Sequence, residues 1–424
     1  MSFTREAVEA LSGLHGEPEW LRARRLESFA LFERMALPDT KRDKDWRQVD
    51  LKGLNLDSFE AFQPPDGRPA MVPMPQMAGV LAQRGTAEGT AEIDPSLTAR
   101  GVIFCPLGKA AREVPELVQS HLFSGVRPER DKLAALHGAL FSGGTFLYVP
   151  DGLTIDRPLM SRFWSGGGGA TTLPHTVVVA GKGSSFHYVE EFIGAPDDSP
   201  SLASGSAELF LNDGANLGYV ALHRWSPQAW QFANQRILLL RDAHLRMVNV
   251  GLGGRLARIR MEAMLEGPGS SAELRGLFFG TEQQAFDFRT LQDHLAPNTT
   301  SDLLYKGALR DTAKSAYVGV VRVEKNARGT SANQANRNLL LSEKARATSE
   351  PILEIENNDI VRCSHGATVG PVDPEHMFYL ESRGIPHSVA QRMLVEGFLA
   401  EITDRIPVAH IREVVEHELA TRIG

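Results

Sequence analysis

Gly183-Ser-Ser-Phe-His-Tyr-Val189 is a turn followed by a strand with alternating side chains, and the same texture returns further along the chain. Gly214-Ala-Asn-Leu-Gly-Tyr-Val220, Gly269-Ser-Ser-Ala-Glu-Leu-Arg275 and Thr312-Ala-Lys-Ser-Ala-Tyr-Val318 repeat it, and Asp242-Ala-His-Leu-Arg-Met-Val248 is a looser copy. The starts at 183, 214, 242, 269 and 312 are separated by 31, 28, 27 and 43 residues. From Gly144 to residue 373 no long helical pattern interrupts these short strands. Irregular spacing of this size suits stacked coils with insertions better than a globular sandwich, although a sandwich also has evenly spread strands. A coil buries its inward side chains only against its neighbours, so a stack needs caps at its ends.

Helical segments on either side supply candidate caps. Residues 17–37 read as a helix with Trp20, Leu21, Leu26, Phe29, Phe32 and Met35 at three-to-four spacing, ended by Leu37-Pro38-Asp39. Residues 63–76 carry five prolines and read as an irregular loop. Val102-Ile-Phe-Cys105 reads as a buried strand with Cys105 a core residue, and 107–121 and 129–141 as helices. Beyond 370, Asp373-Pro374 opens a helix that Gly384 closes. Ser388-Val-Ala-Gln391 reads as a capping box opening a second helix, with Val389, Met393, Leu394, Phe398 and Ile402 as its apolar stripe. A third runs from Pro407 to near Arg422 with Ile411, Val414, Val415 and Leu419 on one face. The chain divides into three units: 1–143 helical and mixed, 144–370 the β core, and 371–424 helical. Gly384 and Pro386 mark a natural break, so deletion of the residues after Pro386 is expected to leave the β core folded.

Lys and Arg number 45 against 52 Asp and Glu, a net charge of −7 that argues against a general nucleic-acid binder. Only Cys105 and Cys363 occur, so no disulfide framework is implied and a reducing, cytoplasmic compartment fits. No run approaches the apolar length of a membrane span, and acidic residues stand where a signal peptide would be apolar.

The chemistry concentrates in Cys363-Ser-His-Gly-Ala-Thr368. Pro351-Ile-Leu-Glu-Ile-Glu356 reads as a strand, and if it extends through 365, Cys363 and His365 point from the same face. A thiolate beside an imidazole offers two ligands to zinc or iron, or a nucleophile and its base. Two ligands do not close a metal site, and neither an oxyanion hole nor a third catalytic group is visible. Val177-Val-Val-Ala-Gly-Lys-Gly183 lacks both the first glycine and the Ser or Thr of a phosphate loop, and Gly251-Leu-Gly-Gly-Arg-Leu256 fails as a dinucleotide fingerprint. A β-helix enzyme acting on polysaccharides is the enzymatic rival, with Glu190, Glu191, Glu282 and Asp287 as its acidic residues.

Asn336-Arg-Asn-Leu-Leu340, Cys363-Ser-His-Gly-Ala-Thr368, Phe378-Tyr-Leu-Glu-Ser-Arg-Gly-Ile385 and Gly397-Phe398, in that order over about sixty residues, resemble the C-terminal signature of the SufB/SufD family of iron–sulfur cluster assembly scaffolds. Glu17-Pro-Glu-Trp20 with the later Trp46-Arg47 is similar to the SufD-type branch. The resemblance implies a central right-handed parallel β-helix between helical ends, and a non-enzymatic scaffold. It further implies a SufB-type partner, and a SufC-type ABC ATPase docked through 388–424. Alone, a homodimer through the strands of 320–365 is expected. No cofactor is expected on the isolated chain; Cys363 and His365 lie where the family assembles a cluster transiently between subunits, so both are metal-ligand candidates completed by the partner chain. The contrasting reading is a SufB-type chain accepting sulfur on its own cysteines.

Overall fold

The computed structural model describes residues 3–62, 74–195 and 199–423; the proline-rich loop expected at 63–76 falls largely outside them. Two sheets of parallel strands face one another and exchange the chain at every coil, forming a β-solenoid. In one sheet Leu159–Trp164, Ser185–Ile193, Asn216–Arg224, His244–Gly251, Ser271–Gly280, Thr300–Leu309, Thr330–Leu340 and Ile360–Pro371 lie in sequence order. The opposite sheet ends with Ala229–Leu239, Leu256–Leu265, Ala285–His294, Lys314–Val323 and Arg346–Ile355. The strands begin before residue 144: Gly79–Arg84 pairs in parallel with Leu159–Trp164, and Ile103–Pro106 runs antiparallel to Thr145–Val149.

The repeat has a backbone cause. Gly183, Gly214, Asp242, Gly269, Asn298 and Gly329 precede successive strands of one sheet, and all six have φ between 51° and 76°. Glycine adopts that left-handed corner freely, and Asp and Asn tolerate it. The same corners account for the irregular interval of 43 residues. A coil begins at Asn298 without the glycine signal, and the piece at Thr312 belongs to the opposite sheet, behind its own corner at Asp311 (φ 57°).

Apolar side chains of both sheets fill the interior. Tyr188, Tyr219, Leu245, Leu274 and Leu303 from one sheet join Leu209, Ile237, Ile259 and Phe288 from the other. The helical segments cover the outer faces. On one side lie Glu19–Arg34 and Lys132–Leu140, in place of the single longer helices expected at 17–37 and 129–141. Arg25 is buried there, paired with Glu17 at 2.6 Å and lying over the Phe141 ring at 3.7 Å. Glu208 ties the loop after Gln119 to the solenoid by accepting the backbone N–H groups of Phe123, Gly125 and Val126.

The C-terminal helices depart from the sequence reading. The helix His387–Thr403 starts one residue before Ser388 and receives no side-chain cap, so the capping box does not form. Its buried residues include Ala390, Val395, Leu399 and Ile402, whereas Met393 of the expected stripe is exposed. The helix rotates because its apolar partner is the outer face of the solenoid. Val395, Leu399, Ile402, Ile411, Val415 and Leu419 pack on Val220, Val248, Val250, Leu277, Phe279 and Leu304. Lys306 reinforces this by donating to the Phe398 carbonyl at 2.7 Å and pairing with Glu401 at 2.5 Å. These helices form a layer of the core.

Candidate functional site: the open end of the solenoid

Pro351 and Cys363 do not share one strand, contrary to the expectation from sequence. Asn357 to Asp359 turn the chain, and Asp359 N–H is accepted by the Asn357 side chain at 2.7 Å. Arg346–Ile355 therefore ends one sheet, and Ile360–Pro371 ends the other. Each has a hydrogen-bonded neighbour on one side only, Lys314–Val323 and Thr330–Leu340 respectively. Both strands of the last coil thus carry backbone groups available for pairing.

Cys363 stacks on Ala332, and His365 on Gln334. Cys363 packs with Val321, Val323 and Ala332, so it faces the interior, and His365, two residues on, shares that side. Ser364 points outward, where its hydroxyl donates to Asn333 at 2.8 Å. Cys363 is half-buried and burial raises its thiol pKa, while His365 is exposed at the mouth of the coil. No group of three or more metal-binding side chains occurs among the described residues. The structure thus places Cys363 and His365 on one side of the last strand, and among the described residues they belong to no group of three or more such ligands.

Apolar side chains surround the mouth in water. Val361 is 76% exposed, and Ile352, Ile355 and Val369 are also exposed. The helix Pro374–Ser382 comes next, capped by the Asp373 side chain as expected, and buries none of its residues. Phe378, 72% exposed, and Tyr379 stand on it. Both belong to the sequence words around this end, yet their role as surface becomes visible only when the helix is seen without cover.

The rival acidic residues do not form a groove. Glu190 is buried inside the solenoid, where the hydroxyls of Thr176, Tyr188 and Tyr219 donate to it. Glu191 pairs on the outer face with Arg162 and Arg224, and Asp287 is buried between Arg258 and Arg289. Glu282 occupies an exposed corner. Cys105, buried as expected, has its thiol pushed up to about 11 by desolvation.

The chain is thus a β-solenoid whose last coil has two free strand edges with an uncovered helix beside them. The chain belongs to the SufBD family of the SUF iron–sulfur cluster assembly system: the core-domain model matches residues 163–398, and the N-terminal-region model matches 89–160. The iron–sulfur cluster assembly protein SufD of Bacillus subtilis is 29% identical, over 97% of this chain and 96% of its own length. An iron–sulfur cluster assembly SufBD family protein of Staphylococcus aureus is 28% identical, over 99% of this chain and 94% of its own. No helix among the described residues is long and apolar enough to cross a membrane.

Proposed function

We propose that this chain is a SufD-type scaffold subunit that pairs with a SufB-type subunit through its last coil and receives a SufC-type ATPase on its C-terminal helices. The open end carries the reading: Arg346–Ile355 and Ile360–Pro371 offer two unpaired edges flanked by exposed Ile352, Ile355, Val361 and Val369. A second solenoid presenting like edges would continue both sheets and cover these side chains. A second copy of this chain would satisfy the same edges when the partner is absent. The ATPase would dock on the exposed side of 388–424, where Met393 stands, together with Phe378 and Tyr379 on the preceding helix.

In that complex His365 and Cys363 would face the joint and add ligands to those of the partner while a cluster is built. His365 is the stronger ligand candidate, because its ring stands exposed at the mouth while burial raises the Cys363 thiol pKa and disfavours the thiolate a metal needs. Neither cysteine suits a sulfur-accepting role: Cys105 is buried with a raised pKa, and that of Cys363 is also raised. The chain would act by positioning ligands and transmitting the ATPase stroke, with no bond-making step of its own. The test is the iron content and cluster absorbance of the purified three-protein complex, wild type against His365→Ala. An intact complex with reduced iron is expected; full loading would overturn the ligand assignment. Sulfur transfer from a cysteine desulfurase to this chain would favour the SufB-type reading instead.

A further inference from the structure

Several polar side chains inside the solenoid form bonded groups. Thr176, Tyr188 and Tyr219 donate to Glu190. Gln235 and Asn249 exchange amide hydrogen bonds at 3.1 and 2.9 Å. Nearer the open end, the hydroxyls of Thr290 and Tyr317 lie 2.8 Å apart.

Gln334 departs from this pattern. Its side chain is fully buried and crosses to the opposite sheet, where Gly319 makes room: a Cβ on Gly319 would lie 2.1 Å from Gln334 Nε2. Tyr317 lies beside the same glycine, and its hydroxyl reaches the Gln334 amide without good hydrogen-bond geometry, so most of the bonding capacity of Nε2 and Oε1 is unmet. Ser349, which stacks over Tyr317 in the last coil, also has a buried hydroxyl without a partner. A buried amide with most of its bonding capacity unmet is disfavoured, and a leucine or methionine would fill the space without that penalty. The residue directly above Gln334 in the parallel ladder, on the same interior side, is His365.

We propose that Gln334 is a positioning residue for His365. Its amide bonds one nitrogen of the imidazole as the exposed ring turns inward, fixing the tautomer and directing the other nitrogen out of the mouth towards an iron of the cargo cluster. An imidazole with one nitrogen held in this way has a defined orientation and a defined lone pair, the arrangement that supports histidine ligands in metal sites. The inference rests on the reading of His365 as a ligand, but its first test does not require metal.

Full-length chain with ¹⁵N-labelled histidine, its His365 resonances assigned by difference against His365→Ala, reports through long-range ring couplings which nitrogen carries the proton. The wild type is expected to hold one tautomer in greater excess than Gln334→Met, and Gln334→Glu, which keeps a carbonyl-type acceptor, is expected to restore that excess. Gln334→Met should keep a thermal stability close to that of wild type, since Tyr317 retains its bond to Thr290, so a purely structural role would leave the ring unmoved. An unchanged tautomer ratio in Gln334→Met overturns the proposal while leaving the ligand reading standing. In the three-protein complex, loss of the positioning bond should weaken iron retention against a chelator by roughly tenfold. Full iron loading in His365→Ala would remove the ligand reading even if the tautomer effect were observed.

Discussion

The two ends of this solenoid are built from the same parallel coils and terminate in different ways. At the first end Thr90–Ile93 runs antiparallel to Gly79–Arg84, and Ile103–Pro106 runs antiparallel to Thr145–Val149. Leu97, Val102 and Phe104 from this region join the interior core, so apolar side chains seal the stack. At the last end the edges stay unpaired and Val361 stands in water. The difference does not come from a shortage of chain. Three helices lie beyond Pro371, enough material for a lid, yet two of them lie along the outer face of one sheet and the third covers nothing. The three helices thus leave the last coil uncovered, whereas the first end is filled by its own apolar side chains.

The largest effect expected from disturbing this arrangement is on the side layer. Deleting the residues after Pro386 removes Val395, Leu399, Ile402, Ile406, Val408, Ile411, Val415 and Leu419 from the core. At ~1.5–3 kcal/mol for each buried aliphatic side chain, the loss is on the order of 10 kcal/mol. That rivals the whole stability of a typical domain, so the truncated chain should aggregate or unfold cooperatively at a much lower temperature. The sequence break at Gly384 and Pro386 suggests the opposite, a removable unit. A truncated chain with unchanged thermal unfolding would restore that reading and detach the helices from the solenoid.

The next effect sharpens the comparison of the two interiors. Desolvation raises the Glu190 carboxyl from 4.5 to about 7, although the hydroxyls of Thr176, Tyr219 and Tyr188 oppose the shift. Because the folded value exceeds the unfolded one, the folded chain binds this proton more tightly. The associated stability is complete below about pH 4.5 and is lost as pH rises to about 7, amounting to ~3 kcal/mol. Glu190→Gln should flatten that part of the stability profile. Denaturant unfolding of both proteins across this window checks it, and parallel profiles would show that Glu190 stays ionised throughout.

Charges placed on the open end should leave folding nearly untouched and act on assembly. Ile352→Lys and Val361→Lys put cations on exposed edge positions, with stability expected to change by less than ~0.5 kcal/mol each. Light scattering at tens of micromolar should show self-association of the wild type and a monomeric double variant. A wild type that is strictly monomeric, both alone and with a SufB-type chain, would argue against the open end as a pairing surface.

Much of this is legible in the residues, for a reason that also marks the limit. Corners at Gly183, Gly214, Asp242 and Gly269 announce themselves because the left-handed turn selects Gly, Asn or Asp, and the strands after them alternate strictly. Asn298 makes the same corner, like Asp242 without a flanking glycine, and its coil escapes notice in the sequence. Helix faces are harder. Met393 and Val395 are both apolar, and periodicity cannot say which one meets a sheet elsewhere in the chain. Cys363 and His365 stand out as residue types, but their place at an unpaired edge depends on a turn at 357–359 that joins two sheets. Gln334 carries no sequence signal, since an amide in an alternating strand reads as surface until its neighbours are known.

The smallest effect concerns Cys363 and separates it from His365. Its sulfur packs with Val321, Val323 and Ala332, and burial raises its pKa, so at neutral pH it behaves as a small apolar group. Cys363→Ser exchanges sulfur for a smaller, more polar oxygen in a half-buried position and should lower stability by no more than about 1 kcal/mol. If His365 alone contributes a ligand, the complex carrying Cys363→Ser retains most of its iron, whereas His365→Ala loses it. A partner surface that brings a cation or a metal close to the thiol would lower its pKa and reverse that order. Iron content equal in the two variants would therefore mean that the joined interface, rather than the free end, sets the chemistry of Cys363.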